Sequence, residues 1–550
     1  MPDDPKEKFA GAKPKFFTVN PAAGINTQAK RESIKDEQFA WLENLQPVGD
    51  GNYRALYSNG SAIYSAPGGT TIIYAYFFNV GGTLLAAVFL SDGTAVQVNV
   101  TTQATTVISS NPGNFYPGSS ALGNPLPACA QYGQSGIIIV CTASSSGYFA
   151  WDGTTLYSPG SAAPNWLTNS TPTTMPSGIS GTCVETFSAR VWVGLGAEFF
   201  NSAPGNGADF SGADGGGATP SSDSFLRREF TQIRQANGFN YLFADSSVNV
   251  LSNVQTSGSP VTTTFNNQNV DPQIGTPWHN SVQAFGRGLV YANTTGVFAL
   301  YGGAAEKVSD DLDGIFASAM SQLEEDSAIS QPSSAAMILN SIRVYMLLVP
   351  VQGPYDAAPR LALVMWDGKK WWIGSQVSSL TFICTQEINS ILQAWGTDGT
   401  NLFALFATPS SSLAKTWQTK LWSGEGFQIT KQALRIYTMA VDNSGSGYTF
   451  TGTLDYILEN AGQQTSPTFT INSNTFPIIW QNNSLQTIQW QNNTPANIYF
   501  TVGGPSLTGT GSTKMSARGN YLGLTETSTS PDFTLITQSL LYREESPIGG

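Results

Sequence analysis

Four stretches of the chain turn on an Asp-Gly pair. They are "AVFLSDGTAVQVNV" at Asp92-Gly93, "YFAWDGTTLYS" at Asp152-Gly153, "ALVMWDGKKWWIG" at Asp367-Gly368 and "QAWGTDGTNLFALF" at Asp398-Gly399. An Asp-Gly pair supplies the left-handed conformations of a tight turn, and flanks that alternate or run apolar read as half-buried or fully buried strands. "ARVWVGLGAEFFNS", "GFNYLFADSSVNVLS" and "GLVYANTTGVFALYGG" repeat the plan with longer turns. A chain made of such hairpins must bury them against one another. Their starts recur roughly every 45 to 60 residues, close to the blade period of a β-propeller. Each hairpin is then half a blade, and Trp151, Trp192, Trp366, Trp371, Trp372 and Trp395 fill the wedges between blades. A large array of β-sandwiches would give the same alternation; the spacing favours the propeller.

Composition points the same way. With 56 Gly and 30 Pro in 550 residues and 11% charged residues, the chain is turn-rich, and the expected class is all-β. The apolar run "TIIYAYFFNVGGTLLAAVFL", residues 71–90, approaches the length of a membrane-spanning helix, but Asn79, Gly81 and Gly82 interrupt it and no basic residue flanks it. It reads as a buried hairpin. The N-terminal "MPDDPKEKFAGAKPKFF" lacks the apolar core of a secretory signal and reads as an arm.

A short helix is expected in "RESIKDEQFAWLENLQP", where Ser33 and Asp36 have capping-box spacing, Phe39, Leu42 and Leu45 recur at helical intervals, and Pro47 ends the pattern. "SDDLDGIFASAMSQLEEDSAIS" is the internal helix candidate. The Gly/Ser/Asp-rich stretch 201–225 is long for a blade loop and is expected to be disordered or an interaction loop. After about residue 435 the texture turns Asn/Gln/Thr-rich, with the echo "IIWQNNSLQTIQWQNNTP" around Trp480 and Trp490. The expected plan is an arm and helix over 1–59, a propeller over 60–435 and a small β-sandwich-like domain over 436–550.

Chemistry is sparse. Formal net charge is −12, and no Lys or Arg occurs between Arg54 and Arg190, which argues against a phosphate-gripping stripe there. Cys129, Cys141, Cys183 and Cys384 lack metal or redox spacing and are expected to be reduced and buried. "MWDGKKWW" and "GTDGTNLF" approach the Asp-box of propeller glycosidases, yet both lack the residue between Asp and Gly. An EF-hand with Gly314 at its sixth position would place Ser309 and Met320 where acids are required. His279 is the single histidine, and no nucleophile motif surrounds it. No enzyme, metal site or cofactor is expected. The basic cluster Arg227, Arg228 and Arg234, with Phe39 and Trp41 on the N-terminal segment, are the candidates for an assembly interface.

The stretch "AAGINTQAKRESIKDEQFAWLENLQPVGDG" resembles the opening of short-tailed phage tail proteins, the propeller-bearing family of tail nozzles, hubs and packaged-DNA stabilisation proteins. Gly24, Asn26, Thr27, Asp36, Gln38, Asn44 and Pro47 carry the match. "ARVWVGLGAEFFNSAPGNGADF", "YLFADSSVNVLS", "GTPWHNSVQAFGRGLVYANTTGVFALYGGAAEKVSDDLDGIF" and the closing "ARGNYLGLTETSTSPDFTLITQSLLYRE" follow in the family's order. The loop 201–225 departs from the pattern by its length. The resemblance implies a non-catalytic virion protein, assembled in the host cytoplasm: a hexameric ring in the tail, with DNA passing through it without specific binding. Its implied neighbours are portal or adaptor proteins, tail fibres or spikes, and a distal plug or needle. The alternative is a glycan-binding or glycan-cleaving propeller at the host-contacting tip.

Overall fold

The computed structural model describes residues 13–19, 23–49, 51–116, 126–142, 146–168, 173–220, 229–325, 332–354, 356–388, 391–444, 447–458, 462–472 and 507–545. It falls into two compact units, one of residues 59–369 and 376–407, the other of 1–58, 370–375 and 408–550. These boundaries differ from the expected ones. The N-terminal segment is part of the same unit as the C-terminal strands, and that unit resumes at 408 rather than 436.

The first unit is a β-propeller of six four-stranded antiparallel blades. Blade 1 runs through Ile72–Val80, Thr83–Leu90, Ala95–Asn99 and Thr105–Ser109, so the apolar stretch 71–90 is its inner hairpin. Blade 2 comprises Ala128–Tyr132, Gly136–Val140, Tyr148–Trp151 and Leu156–Tyr157, and blade 3 Cys183–Phe187, Arg190–Leu195, Glu198–Asn201 and Gly217–Pro220. Blade 4 is Phe230–Ala236, Phe239–Ala244, Val248–Ser257 and Thr262–Asp271, and blade 5 Gln283–Phe285, Gly288–Asn293, Gly296–Leu300 and Ala305–Lys307. The closing blade pairs Phe382–Ile388, Ile391–Thr397 and Asn401–Ala404 with Ala62–Ser65, a strand from the start of the unit. Between blade 5 and the closing blade lies a further antiparallel wedge, Ser333–Leu339, Ile342–Val351 and Arg360–Trp366, whose first strand packs against the first strand of each neighbour.

Aromatic side chains hold the wedges together. Phe77 stacks on Trp395 between blade 1 and the closing blade at 4.9 Å, and Phe285 stacks on Trp366 at 5.2 Å. Trp192 packs edge-on against Phe265 of blade 4, and Trp151 donates its indole N–H to Gln97 of blade 1 at 2.7 Å. Trp371 and Trp372 are buried on Trp371–Gly374, the strand that follows the Asp367-Gly368 turn.

The Asp-Gly turns form hairpins by a different device from the one expected. Only the glycines have positive φ, 84° at Gly93 and 95° at Gly153. The aspartate instead caps the turn with its carboxylate: Asp92 Oδ1 accepts the backbone N–H and the hydroxyl of Thr94 at 3.0 and 2.7 Å. Asp152, Asp367 and Asp398 bond residues two positions on in the same way. This is the local side-chain capping that suits Asp to turns.

The internal helix forms over Asp313–Glu325, after a 3-10 turn at Asp310–Leu312. The glycine-rich stretch is ordered through residue 220: Asn201, Ser202, Asn206 and Asp209 are buried and Gly217–Pro220 completes blade 3. Residues 221–225 lie outside the described residues.

In the second unit, one sheet runs Leu45–Val48, Asn52–Ala55, Phe533–Glu544, Lys431–Asp442 and Leu507–Lys514, with Lys15–Val19 also on Phe533–Glu544. The other joins Trp371–Gly374, Phe39–Glu43, Lys415–Thr419, Tyr521–Ser528, Thr449–Leu458 and Gly462–Thr465. Trp417, Phe450 and Phe533 pack between them.

The expected N-terminal helix is absent. Residues 31–37 form turns, and Phe39–Glu43 and Leu45–Val48 are strands. Asn44 takes φ 58° between them, and its side chain bonds Ser375 and the Ala414 carbonyl at 2.8 and 2.7 Å. A left-handed residue with tertiary partners ends a helical path that local spacing alone permits. Trp480 and Trp490 lie outside the described residues.

Candidate functional site

The first strands of the blades and of the wedge surround a central cavity of about 100 Å³. Apolar strands bring their backbones here, yet a belt of polar contacts crosses from one first strand to the next. The Gln131 amide spans blades 1 and 2, donating to the Asn79 carbonyl at 2.9 Å and accepting the Asn79 N–H at 3.2 Å. The Thr186 hydroxyl donates to the Gln131 carbonyl at 3.0 Å, and Glu185 Oε2 accepts the Gln235 N–H at 3.4 Å. Gln232 accepts the Val282 N–H, Gln283 donates to the Ser334 carbonyl, and Thr385 accepts the Ala336 N–H. From blade 2 to the closing blade these contacts span 55, 50, 50, 51 and 49 positions, which is the blade period itself. Buried polar groups cost free energy unless bonded, so the belt fixes the register of neighbouring blades.

The ionisable groups at the cavity are few. Arg234 approaches Glu185 at 4.0 Å, and burial raises the Glu185 carboxyl although Arg234 opposes the rise. Burial lowers the His279 imidazole, and its Nδ1 has no hydrogen-bond partner. Cys129, Cys183 and Cys384 line the cavity, and burial raises each thiol, that of Cys183 to about 12. A neutral imidazole beside protonated thiols offers no thiolate nucleophile. Among the described residues, no three His, Cys, Asp or Glu side chains are grouped so as to hold a metal ion. A polar space of this size suits ordered water.

The interface candidates are scattered. Arg234 faces the central cavity rather than the outer surface, and Arg227 and Arg228 lie outside the described residues. Phe39 and Trp41 are buried within their own unit, Phe39 edge-on against Tyr53 at 5.0 Å and Trp41 bonded to Glu43 at 3.2 Å. Neither ring is free to meet another subunit. Sequence reasoning misses the belt glutamines; their signal is a polar residue recurring once per blade in an otherwise apolar first strand.

The residues of the N-terminal stretch that matches the phage-tail opening lie in the second unit. Gly24 has φ 79°, and a Cβ there would lie 2.6 Å from the Trp371 carbonyl oxygen. Asn26 donates to Gln38 at 3.1 Å and accepts the Gln28 N–H at 3.0 Å, while Gln38 accepts the Lys35 N–H. Asp36 pairs with Lys420 at 2.7 Å. Between them, Arg31 reaches the buried Asp455 at 2.5 Å and donates to the Thr419 and Leu524 carbonyls.

No family model matches the chain, and no curated protein matches it. Solved structures similar to it include Raptor from Chaetomium thermophilum, at 11% identity and TM-score 0.36 over 64% of this chain and 29% of that one. BamB from Moraxella catarrhalis matches at 10% identity and TM-score 0.33, over 66% of this chain and 96% of that one. The β-propeller domain of Cps50 (Swd1) from Myceliophteria thermophila matches at 9% identity and TM-score 0.35, over 61% and 100%. The propeller assignment rests on the strand pairings themselves.

Proposed function

We propose that this chain is a structural protein of a short-tailed phage tail, a nozzle or hub whose six copies form a ring around the DNA path and carry other tail parts. The reading is supported by one observation above all. The residues matching the family's opening are those the fold uses as joints: Gly24 at a close backbone approach, Asn26 and Gln38 as mutual caps, Asn44 as the left-handed kink. Such residues resist substitution because each meets a conformational or hydrogen-bonding demand that few others can. A formal charge of −12 per copy also suits a conduit, since a duplex repelled by the ring can slide.

Negative-stain imaging of the purified protein, alone and with an adaptor or portal ring, tests the proposal. Six-fold rings that dock coaxially are the expected result. A monomer that binds neither ring and cleaves a surface polysaccharide would replace this reading with the glycan-directed one.

A further inference from the structure

In blades 1 to 5 and in the wedge the first and second strands are joined by a short turn, and because these first strands run the same way along the channel, these tips share one end of the propeller. Neighbouring tips touch: Gly81 N–H donates to the Gln134 carbonyl, and the Asn237 amide bonds the Arg287 carbonyl. On three consecutive tips, residues 235–240, 284–288 and 338–343, the side chains are unusual for a chain with this acidic balance. Phe239 and Ile338 are 41% and 50% exposed. Arg287 is exposed, and Arg343 stands directly across from Ile338 in the strand pairing. Neither guanidinium has an ion-pair partner among the described residues, and no acidic residue occurs on these three tips.

Three of the turns joining second and third strands, at the other end of the blades, carry one acid each. Asp92, Asp245 and Asp398 sit in turns 91–94, 245–247 and 398–400, which contain no Lys or Arg. The propeller is therefore basic and apolar on one crescent and carries these three acidic turns on its other rim, the acidic rim.

We infer that the crescent formed by Phe239, Arg287, Ile338 and Arg343 docks on the acidic rim of a second copy of this chain. The inference rests on the ring reading and names the surface that makes the ring. A contact between two unlike patches leaves both free for the next copy, as a cyclic assembly requires. Arginines beside exposed apolar side chains have the composition of interface cores, and charge complementarity selects the partner. Two copies at −12 repel at long range, so association depends on this local asymmetry and on salt.

The test is sedimentation velocity of the full chain as wild type, Arg287→Glu/Arg343→Glu and Phe239→Ser/Ile338→Ser, at low and high NaCl, with melting curves as a folding control. We expect each double variant to raise the concentration at half-assembly by about tenfold or more with the melting temperature unchanged, and the charge-reversed variant to differ from wild type less at high NaCl than at low. Variants that assemble like the wild type overturn the crescent and leave the ring reading standing. A wild type that stays monomeric at all concentrations overturns both.

Discussion

Glu526 lies on Tyr521–Ser528, facing the core between the two sheets of the second unit, and is 1% exposed. Gln538 donates its amide to one carboxylate oxygen, and the other oxygen has no partner. Burial pushes the carboxyl up to about 7, only partly offset by the hydrogen bond from Gln538. The folded state therefore keeps a proton that the unfolded chain releases from about pH 4.5 upward. Below that value both states are protonated and no penalty exists. Between 4.5 and 7 the penalty grows, and above 7 it levels off at about 3 kcal/mol, because each tenfold difference in proton affinity between the two states is worth about 1.4 kcal/mol. Glu526→Gln removes the titration but leaves an amide N–H₂ where the unpartnered oxygen stood, at a cost of about 1–3 kcal/mol at every pH. The variant should thus be less stable than wild type at about pH 5 and equal or more stable at about pH 8. The difference between the two chains should move by about 2.5 kcal/mol across that range. Pulse-labelling hydrogen exchange on peptides covering 521–528, after equilibration in urea at each pH, reads this unit separately from the propeller. Parallel pH profiles for the two chains would show that Glu526 is ionised in the folded state and that the reasoning is wrong.

Removing one partner of a buried ion pair strands the other, so Arg31→Met should destabilise the second unit by about 3–5 kcal/mol through Asp455, measured by the same exchange. Trp395→Ala deletes the ring stacked on Phe77 and should cost about 3–5 kcal/mol in propeller unfolding by urea; a loss below about 1 kcal/mol would mean that the contact does not hold the closing blade. At Gly93 a Cβ would lie 2.3 Å from the Gly113 backbone nitrogen at φ 84°, so Gly93→Ala should lower the melting temperature, whereas the same change at the open Gly81 should do so less.

The strand content and the blade spacing are legible because each hairpin writes its own turn chemistry and apolar flanks locally. What is not legible depends on partners distant in sequence. Phe39, Leu42 and Leu45 have helical spacing, and only the pairing of Phe39–Glu43 with Lys415–Thr419 makes them strand residues. The same separation hides the unit boundary, since Lys15–Val19 is a strand only against Phe533–Glu544. The Asp-Gly pairs mark the turns correctly but suggest a backbone role for the aspartate, when the carboxylate is the group the turn uses. At the candidate site His279 draws notice for being alone, whereas Gln131, Gln232 and Gln283 form the belt. A glutamine in an apolar strand carries no chemical motif, and its meaning appears only when the neighbouring blade is in place.

The closing blade sets a timetable for synthesis. Ser65 hydrogen-bonds Asn401, 336 positions later. At roughly 5–20 residues per second a ribosome needs on the order of 17–70 s to make the intervening chain. Through that interval Ala62–Ser65 has been made but its partner has not. An unpaired strand is a template for the wrong neighbour, including the same strand of another nascent chain on the same message. Ala62–Ser65 is four residues long and its ends are exposed, so it holds any such neighbour weakly. Its brevity keeps the last joint of the ring open until the blade that completes it emerges.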